Sequence, residues 1–168
     1  PKIIDYKKNF YTYKMIKGKV FSKVSNLENF KKLLLFSKNF WKKKILSKRE
    51  KSAFYKQCFL FYKIKTEKRI RQFYKVTGLN DGLTKINGTK IPKLKTILKL
   101  IYWKKISKGI PVRFHGDYHF ENIIINEKNN FFLLDWRQDF CDNLKFGDIY
   151  YDLAKLYHGI IVSHNKVL

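Results

Sequence analysis

The chain has 168 residues, 45% of them hydrophobic and 17% aromatic, enough apolar surface for one core, which excludes wholesale disorder and leaves little room for a second full domain. Lys and Arg number 37 against 13 Asp and Glu, a formal charge of +24, and a field of that sign points first to a polyanion. Position weakens that reading: residues 1–110 carry 31 basic and 5 acidic side chains, and residues 111–168 carry 6 and 8. Lysines make up 32 of the 37 cations, scattered among aromatics with one run of three at 42–44, whereas base and phosphate recognition favours Arg forks. Two cysteines, Cys58 and Cys141, allow at most one disulfide and fit a reducing compartment. No leader pattern opens the chain and no apolar run approaches a membrane span, so a soluble cytoplasmic protein without a membrane span is expected. Pro1 in place of Met leads us to expect a piece of a longer chain.

Residues 2–7 and 10–17 are β-branched and aromatic around Lys8-Asn9, which predicts a β-hairpin ended by Gly18. Ser25-Asn26-Leu27-Glu28 reads as a capping box, followed by Phe30, Leu33, Leu34, Trp41 and Ile45 at helical spacing, so a helix of about five turns is predicted. A second box, Ser47 with Glu50, opens a helix that runs to Thr77 and stops at Gly78. Residues 80–89 contain Asn-Asp-Gly and Asn-Gly and are predicted as a loop. A third helix starts near Pro92, with Leu94, Ile97, Leu98 and Ile101 on one face, and stops at Gly109. Strand-like runs follow at 112–114, 123–126 and 131–134, and residues 148–162 form a last helical stretch.

The acidic segment holds the chemistry. His115-Gly116-Asp117-Tyr118-His119-Phe120-Glu121-Asn122 leads into two apolar strands separated by polar residues 127–130, a hairpin signal. With the turn centred between Lys128 and Asn129, Asn122 would face Asp135, and directly opposed side chains lie roughly 4.5–5.5 Å apart at Cβ. Asp117 lies five residues before Asn122, so three oxygen-bearing side chains converge at one strand mouth. A few hard oxygen ligands suit Mg²⁺, which keeps waters and shares its shell with phosphates. A further carboxylate can accept the proton of an attacking hydroxyl, and phosphoryl transfer is the reaction class that follows.

These residues resemble a known family. Asp117 with Asn122 matches the Asp-x4-Asn catalytic loop of protein-kinase-like enzymes, and Asp135 falls where their metal-binding aspartate stands. His115-Gly116-Asp117-x-His119-x-x-Asn122, then Leu134-Asp135-Trp136, then Gly147-Asp148-x-x-Tyr151-Asp152-Leu153-Ala154 look like the aminoglycoside phosphotransferase and choline kinase branch. The motifs cover residues 111–158; elsewhere the likeness is one of element order. The resemblance implies an α+β fold: a mostly helical kinase-like C-lobe over residues 22–168, comprising a helical body (22–110) and a catalytic segment (111–168), with residues 1–21 as the last N-lobe strands and hinge. It implies that Asp117 orients or deprotonates an acceptor hydroxyl and that Asn122 and Asp135 hold Mg²⁺ on ATP. His115 and His119 then brace the loop, Asp148 and Asp152 anchor it, and the backbone at Lys14, Met15 and Ile16 meets adenine. The implied partners are a nucleotide and a small hydroxyl acceptor such as a sugar, an aminoglycoside-like compound or an amino alcohol.

The sequence departs from the branch in two ways. A phosphate-covering loop and a strand Lys paired to a helix Glu belong before the hinge, and too few residues precede it here to hold them, so fusion to or association with another domain is expected. Arg137 puts a permanent cation beside Asp135, where it would meet a phosphate or pair with Asp139. Two other readings stay open. One is a kinase-like pseudoenzyme or binding module, inactive without an N-lobe. The other is a basic nucleic-acid-binding surface over residues 1–110, disfavoured because aromatics at helical spacing are more often core.

Overall fold

Alternating β-branched and aromatic residues on both sides of Lys8-Asn9 form the predicted hairpin, β1 (Ile3–Lys7) and β2 (Phe10–Tyr13), with Lys7 opposite Phe10 across a two-residue turn. Every residue of both strands is exposed. The second strand stops at Tyr13, and a further strand, β3 (Lys19–Val20), pairs with residues 124 and 125. Gly18 permits that approach, since a Cβ there would lie 2.6 Å from Ile124 Cγ2 and 2.7 Å from the Ile125 carbonyl oxygen. The computed structural model describes residues 3–82 and 85–162, divided into two compact units: Pro1–Ile45 with Ile110–Leu168, and Leu46–Gly109.

In the first unit a single turn, α1 (Phe21–Val24), precedes α2 (Leu27–Phe40). The cap of α2 is Asn26, whose side chain accepts from the Asn29 N–H at 2.8 Å. The predicted cap lay one residue earlier, but Ser25 Oγ donates instead to the Ser22 carbonyl and Glu28 pairs with Lys32. The helix ends at Phe40, short of the predicted five turns, and Ile45 is 98% exposed. Tertiary pairing overrides the helical spacing there: Lys43 stands opposite Val112, with the Lys44 N–H donating to the Pro111 carbonyl and the Arg113 N–H to the Lys42 carbonyl, both at 2.9 Å.

The second unit opens as predicted. Ser47 and Glu50 cap α3 (Lys48–Phe59) reciprocally. A π turn, Leu60–Ile64, joins it to α4 (Lys65–Thr77), which ends at Gly78 with φ of 67°. The predicted loop contains a short hairpin, β4 (Lys85–Ile86) and β5 (Thr89–Lys90), because Asn87 and Gly88 both take positive φ (48° and 78°), the demand of a type I′ turn. Residues 83 and 84 of that predicted loop lie outside the described residues. The predicted helix from Pro92 to Gly109 is two pieces, α5 (Leu94–Leu100) and α6 (Trp103–Ile106). Trp103 Nε1 donates at 3.1 Å to the Leu98 carbonyl, the acceptor that residue 102 would use in an unbroken helix. Asp81 caps α5 from a distance, accepting from the Leu94 N–H at 2.8 Å and the Lys95 N–H at 3.2 Å.

The chain then returns to the first unit with β6 (Pro111–Val112), β7 (Ile123–Ile125), β8 (Phe131–Leu133), β9 (Gly147–Asp148) and α7 (Ile149–Ile161). β3, β7 and β8 form an antiparallel sheet in that order, and β6 pairs with β9. Phe21, Leu33, Tyr118, Ile123, Leu133 and Leu156 share one buried cluster around the sheet. The last helix falls where predicted, capped by Asp148, whose side chain accepts from the Tyr150 N–H. Helices and small sheets together make the fold α+β. Among the described residues no helix is long and apolar enough to cross a membrane.

Candidate active site

The loop from β6 to the short 3-10 turn Phe120–Asn122 is held from beneath by α7. Asp152, on the first turn of that helix, is fully buried and accepts three hydrogen bonds: from the His115 N–H (2.9 Å), the Gly116 N–H (2.7 Å) and Trp41 Nε1 (3.0 Å). Burial pushes its carboxyl up to about 6 even against those donors. Asp148, also buried, accepts from the Ile110 N–H at 2.9 Å and so ties the strand entering the loop to the same helix end. Gly116 has φ of 85°, and a Cβ there would fall on Arg137 Cβ and within 2.7 Å of the Phe114 ring. Only glycine fits.

His115 is fully buried, and Nδ1 accepts from the Asp117 N–H at 3.2 Å. Burial pushes its pKa down to about 4, outweighing the Leu134 backbone, Asp117 and Asp135, which favour the proton, so the ring is neutral at physiological pH. Its carbonyl accepts from the Arg137 N–H at 2.9 Å, and its ring lies 5.1 Å from that of Trp136. The histidine thus braces the loop against the segment that carries Asp135.

Asp117 is partly exposed and lies among donors. Lys155 Nζ stands 2.8 Å from Oδ1, His119 Nε2 3.3 Å from Oδ2, and Asn122 Nδ2 donates to Oδ2 at 3.1 Å and to the Asp117 carbonyl at 3.0 Å. Burial pushes the carboxyl up, but the Lys155 ammonium, helped by His119 and Asn122, outweighs it, and the group stays ionised below the usual carboxylate range. Lys155 had no place among the sequence candidates. The signal was its position one turn after Asp152, on the same helix face.

The hairpin register differs from the predicted one by a residue. Ile123 stands opposite Leu133 and Ile125 opposite Phe131. Asn126 Oδ1 accepts from the N–H groups of Lys128 (3.0 Å) and Asn130 (2.9 Å), while Asn129 takes φ of 58°, so the loop is three residues long rather than four. Asn122 therefore faces Leu134, whose N–H donates to its carbonyl at 2.9 Å. Asp135 leaves the ladder in the left-handed region, φ 53°, with its side chain exposed. The Leu134–Asn122 and Arg137–His115 backbone bonds bracket it, which still holds it beside the Asp117–Asn122 loop.

The other predicted residues are more dispersed. Lys14 and Met15 are exposed and Ile16 half-buried, in the segment between β2 and β3, and β3 ties that segment to β7, the strand after Asn122. Arg137 Nε donates to the Asp139 backbone carbonyl at 3.1 Å. A cleft lined by Lys17, Gly18, Lys19 and residues 125–129 opens at the turn end of the β7–β8 hairpin, opposite from Asn122 and Asp135. Among the described residues no three His, Cys, Asp or Glu side chains gather as a metal-binding set.

The family model described as the Phosphotransferase enzyme family matches residues 71–164, more than half of the chain and all of the loop, hairpin and anchoring helix just described. The chain belongs to the phosphotransferase enzyme family. No curated protein and no solved structure matches it. For a phosphotransferase, the donor set suits a Mg²⁺-nucleotide. Asn122 spends its N–H groups on Asp117, which leaves the amide oxygen as its cation-binding end. Asp135 offers an exposed carboxylate, and hard oxygens in small number are what Mg²⁺ takes.

Proposed function

We propose that this chain carries the catalytic segment of an ATP- and Mg²⁺-dependent kinase for a hydroxyl group on a small molecule. In this reading residues 22–168 correspond to a kinase-like C-lobe and residues 1–21 to the end of an N-lobe and its hinge. The observation that carries it is the Asp117 carboxylate, gripped by Lys155, His119 and Asn122 on a loop that Asp152 fixes through two backbone N–H groups.

Mg-ATP, when bound, supplies the phosphoryl group and the cation that spreads its charge. Asn122 and Asp135 hold the cation. The segment Lys14, Met15 and Ile16, joined to β7 through β3, lies along the nucleotide. Asp117 accepts a hydrogen bond from the acceptor hydroxyl, turns its oxygen toward phosphorus, and takes its proton as the new O–P bond forms and the bond to the departing ADP breaks. A carboxylate kept ionised is a weak base, so its main contribution is orientation, with proton acceptance late in the transfer. Lys155 and His119 hold Asp117 in one rotamer and place positive charge beside the transferring group.

The test uses the protein in its full natural chain. ADP release is followed over a panel of sugars, aminoglycosides and amino alcohols, with calorimetric Mg-ATP binding alongside. Asp117→Asn is expected to lower turnover at least about 100-fold, the low end for a positioned base, while Mg-ATP affinity is unchanged. Undiminished turnover would overturn the assignment.

A further inference from the structure

A group of cations in the same unit has no role in the reading above. Where residues 42–44 run antiparallel to residues 111–113, Lys43 stands opposite Val112. That register sets Lys42 directly across from Arg113 and Lys44 across from Pro111, and strand alternation places Lys42, Lys44 and Arg113 on one face. All three are exposed, and among the described residues none makes an ion pair. Like charges directly opposed across a ladder repel and destabilise it, so the arrangement wants an anion.

Arg113 also has a fixed posture. Its guanidinium lies 5.0 Å from the Phe40 ring centroid and 5.4 Å from that of Trp136, which holds the plane against aromatic faces and leaves the fork of N–H donors for a ligand. Trp136 follows Asp135 in sequence, and its ring lies 5.1 Å from that of His115. The cations therefore border the phosphotransfer residues.

We propose that Lys42, Lys44 and Arg113 form a binding site for a phosphate group carried by the acceptor, which makes the substrate a hydroxyl compound that is already phosphorylated. Three cations exceed what one carboxylate neutralises, whereas a phosphate dianion takes a bidentate Arg fork together with ammonium groups. The inference rests on the kinase reading for the identity of the acceptor, but the anion site stands or falls separately.

The experiment is calorimetric titration of the full chain with inorganic phosphate at low ionic strength. Arg113→Gln and Lys42→Gln are each expected to raise Kd at least tenfold, whereas Lys31→Gln, an exposed lysine on α2, and Asp117→Asn leave it within twofold. No phosphate binding by the wild type, or equal weakening by Lys31→Gln, overturns the site. Co-sedimentation with phosphatidylglycerol vesicles separates the sources: vesicle binding that Arg113→Gln abolishes assigns the phosphate to a lipid headgroup and overturns the soluble acceptor, and its absence supports one. Phosphorylated and unphosphorylated alcohols are then compared as acceptors. Transfer to unphosphorylated alcohols that Arg113→Gln leaves unchanged refutes this inference and keeps the kinase reading. Phosphate binding lost in Arg113→Gln, with turnover undiminished in Asp117→Asn, does the reverse.

Discussion

Two antiparallel hairpins in one unit share a composition and differ in burial. In β1 and β2, Ile4 is 68% and Tyr6 78% exposed, and the pair has no third strand. In β7 and β8, Ile123 is completely buried and Leu133 nearly so, with β3 beside them and α1 and α2 contributing to the same core. A two-stranded ribbon is marginal in water, so the second hairpin takes its rigidity from its neighbours, and it is the one flanked by Asn122 and Asp135. The lesson is that apolar alternation specifies pairing, while the surroundings decide whether a pair can carry a site.

The strongest challenge to that contrast is Leu133→Ala, expected to cost about 2–5 kcal/mol in denaturant unfolding; a cost as small as that of an exposed site would erase the distinction. Next come the buried titratable groups beneath the catalytic loop. The unfolded chain protonates His115 near 6.5 and the folded one near 4, so this group's contribution is full above pH 6.5 and is lost as pH falls toward 4. Asp152 has the opposite sign, protonating near 6 when folded and near 3.8 when unfolded, so its contribution is full below 3.8 and is lost as pH rises through 6. Relative to wild type, His115→Gln should therefore gain up to about 3 kcal/mol between pH 7 and 4, and Asp152→Asn should lose a similar amount. Unfolding curves in which both variants drift the same way would refute the assigned burial effects.

A smaller effect is expected from Lys155→Met. Its ion pair with Asp117 is half in solvent, so stability should fall by less than about 1 kcal/mol while kcat drops roughly tenfold, about 1.4 kcal/mol of barrier. A stability loss like that of Leu133→Ala, with kcat unchanged, would make the lysine structural. Smallest of all is Tyr6→Ala in the exposed hairpin, which should move stability by no more than about 0.5 kcal/mol. A larger loss would mean that β1 and β2 are anchored after all.

Local chemistry was the part of this fold open to reading in sequence. Ser47 with Glu50, Gly78 and Asp148 mark helix ends through their own side chains or lack of one, and the motif spacing singled out Asp117 and Asn122, now joined by hydrogen bonds. Non-local pairing escaped. Lys19 and Val20 are too short a run to show a period, yet they pair with residues more than a hundred positions away. The hairpin register turned on Asn126 and Asn129 closing a three-residue loop, and one residue there moves Asn122 from Asp135 to Leu134. Lys155 was hidden by abundance, one lysine among 32.

The π turn at Leu60–Ile64 divides the run of residues 48–77 into two phases. Before it, Phe54 and Cys58 are buried on one side; after it no residue of α4 is buried, and Ile70 and Tyr74 are only half-covered. A π turn holds one residue more than an α turn, and each residue of an α-helix advances about 100°. Removing one residue from this segment would close it into ordinary helix and swing all thirteen positions of α4 around the axis together. The composition would hardly change, but every side chain from Lys65 to Thr77 would point in a new direction, so this turn works as a splice that sets the frame for all that follows it.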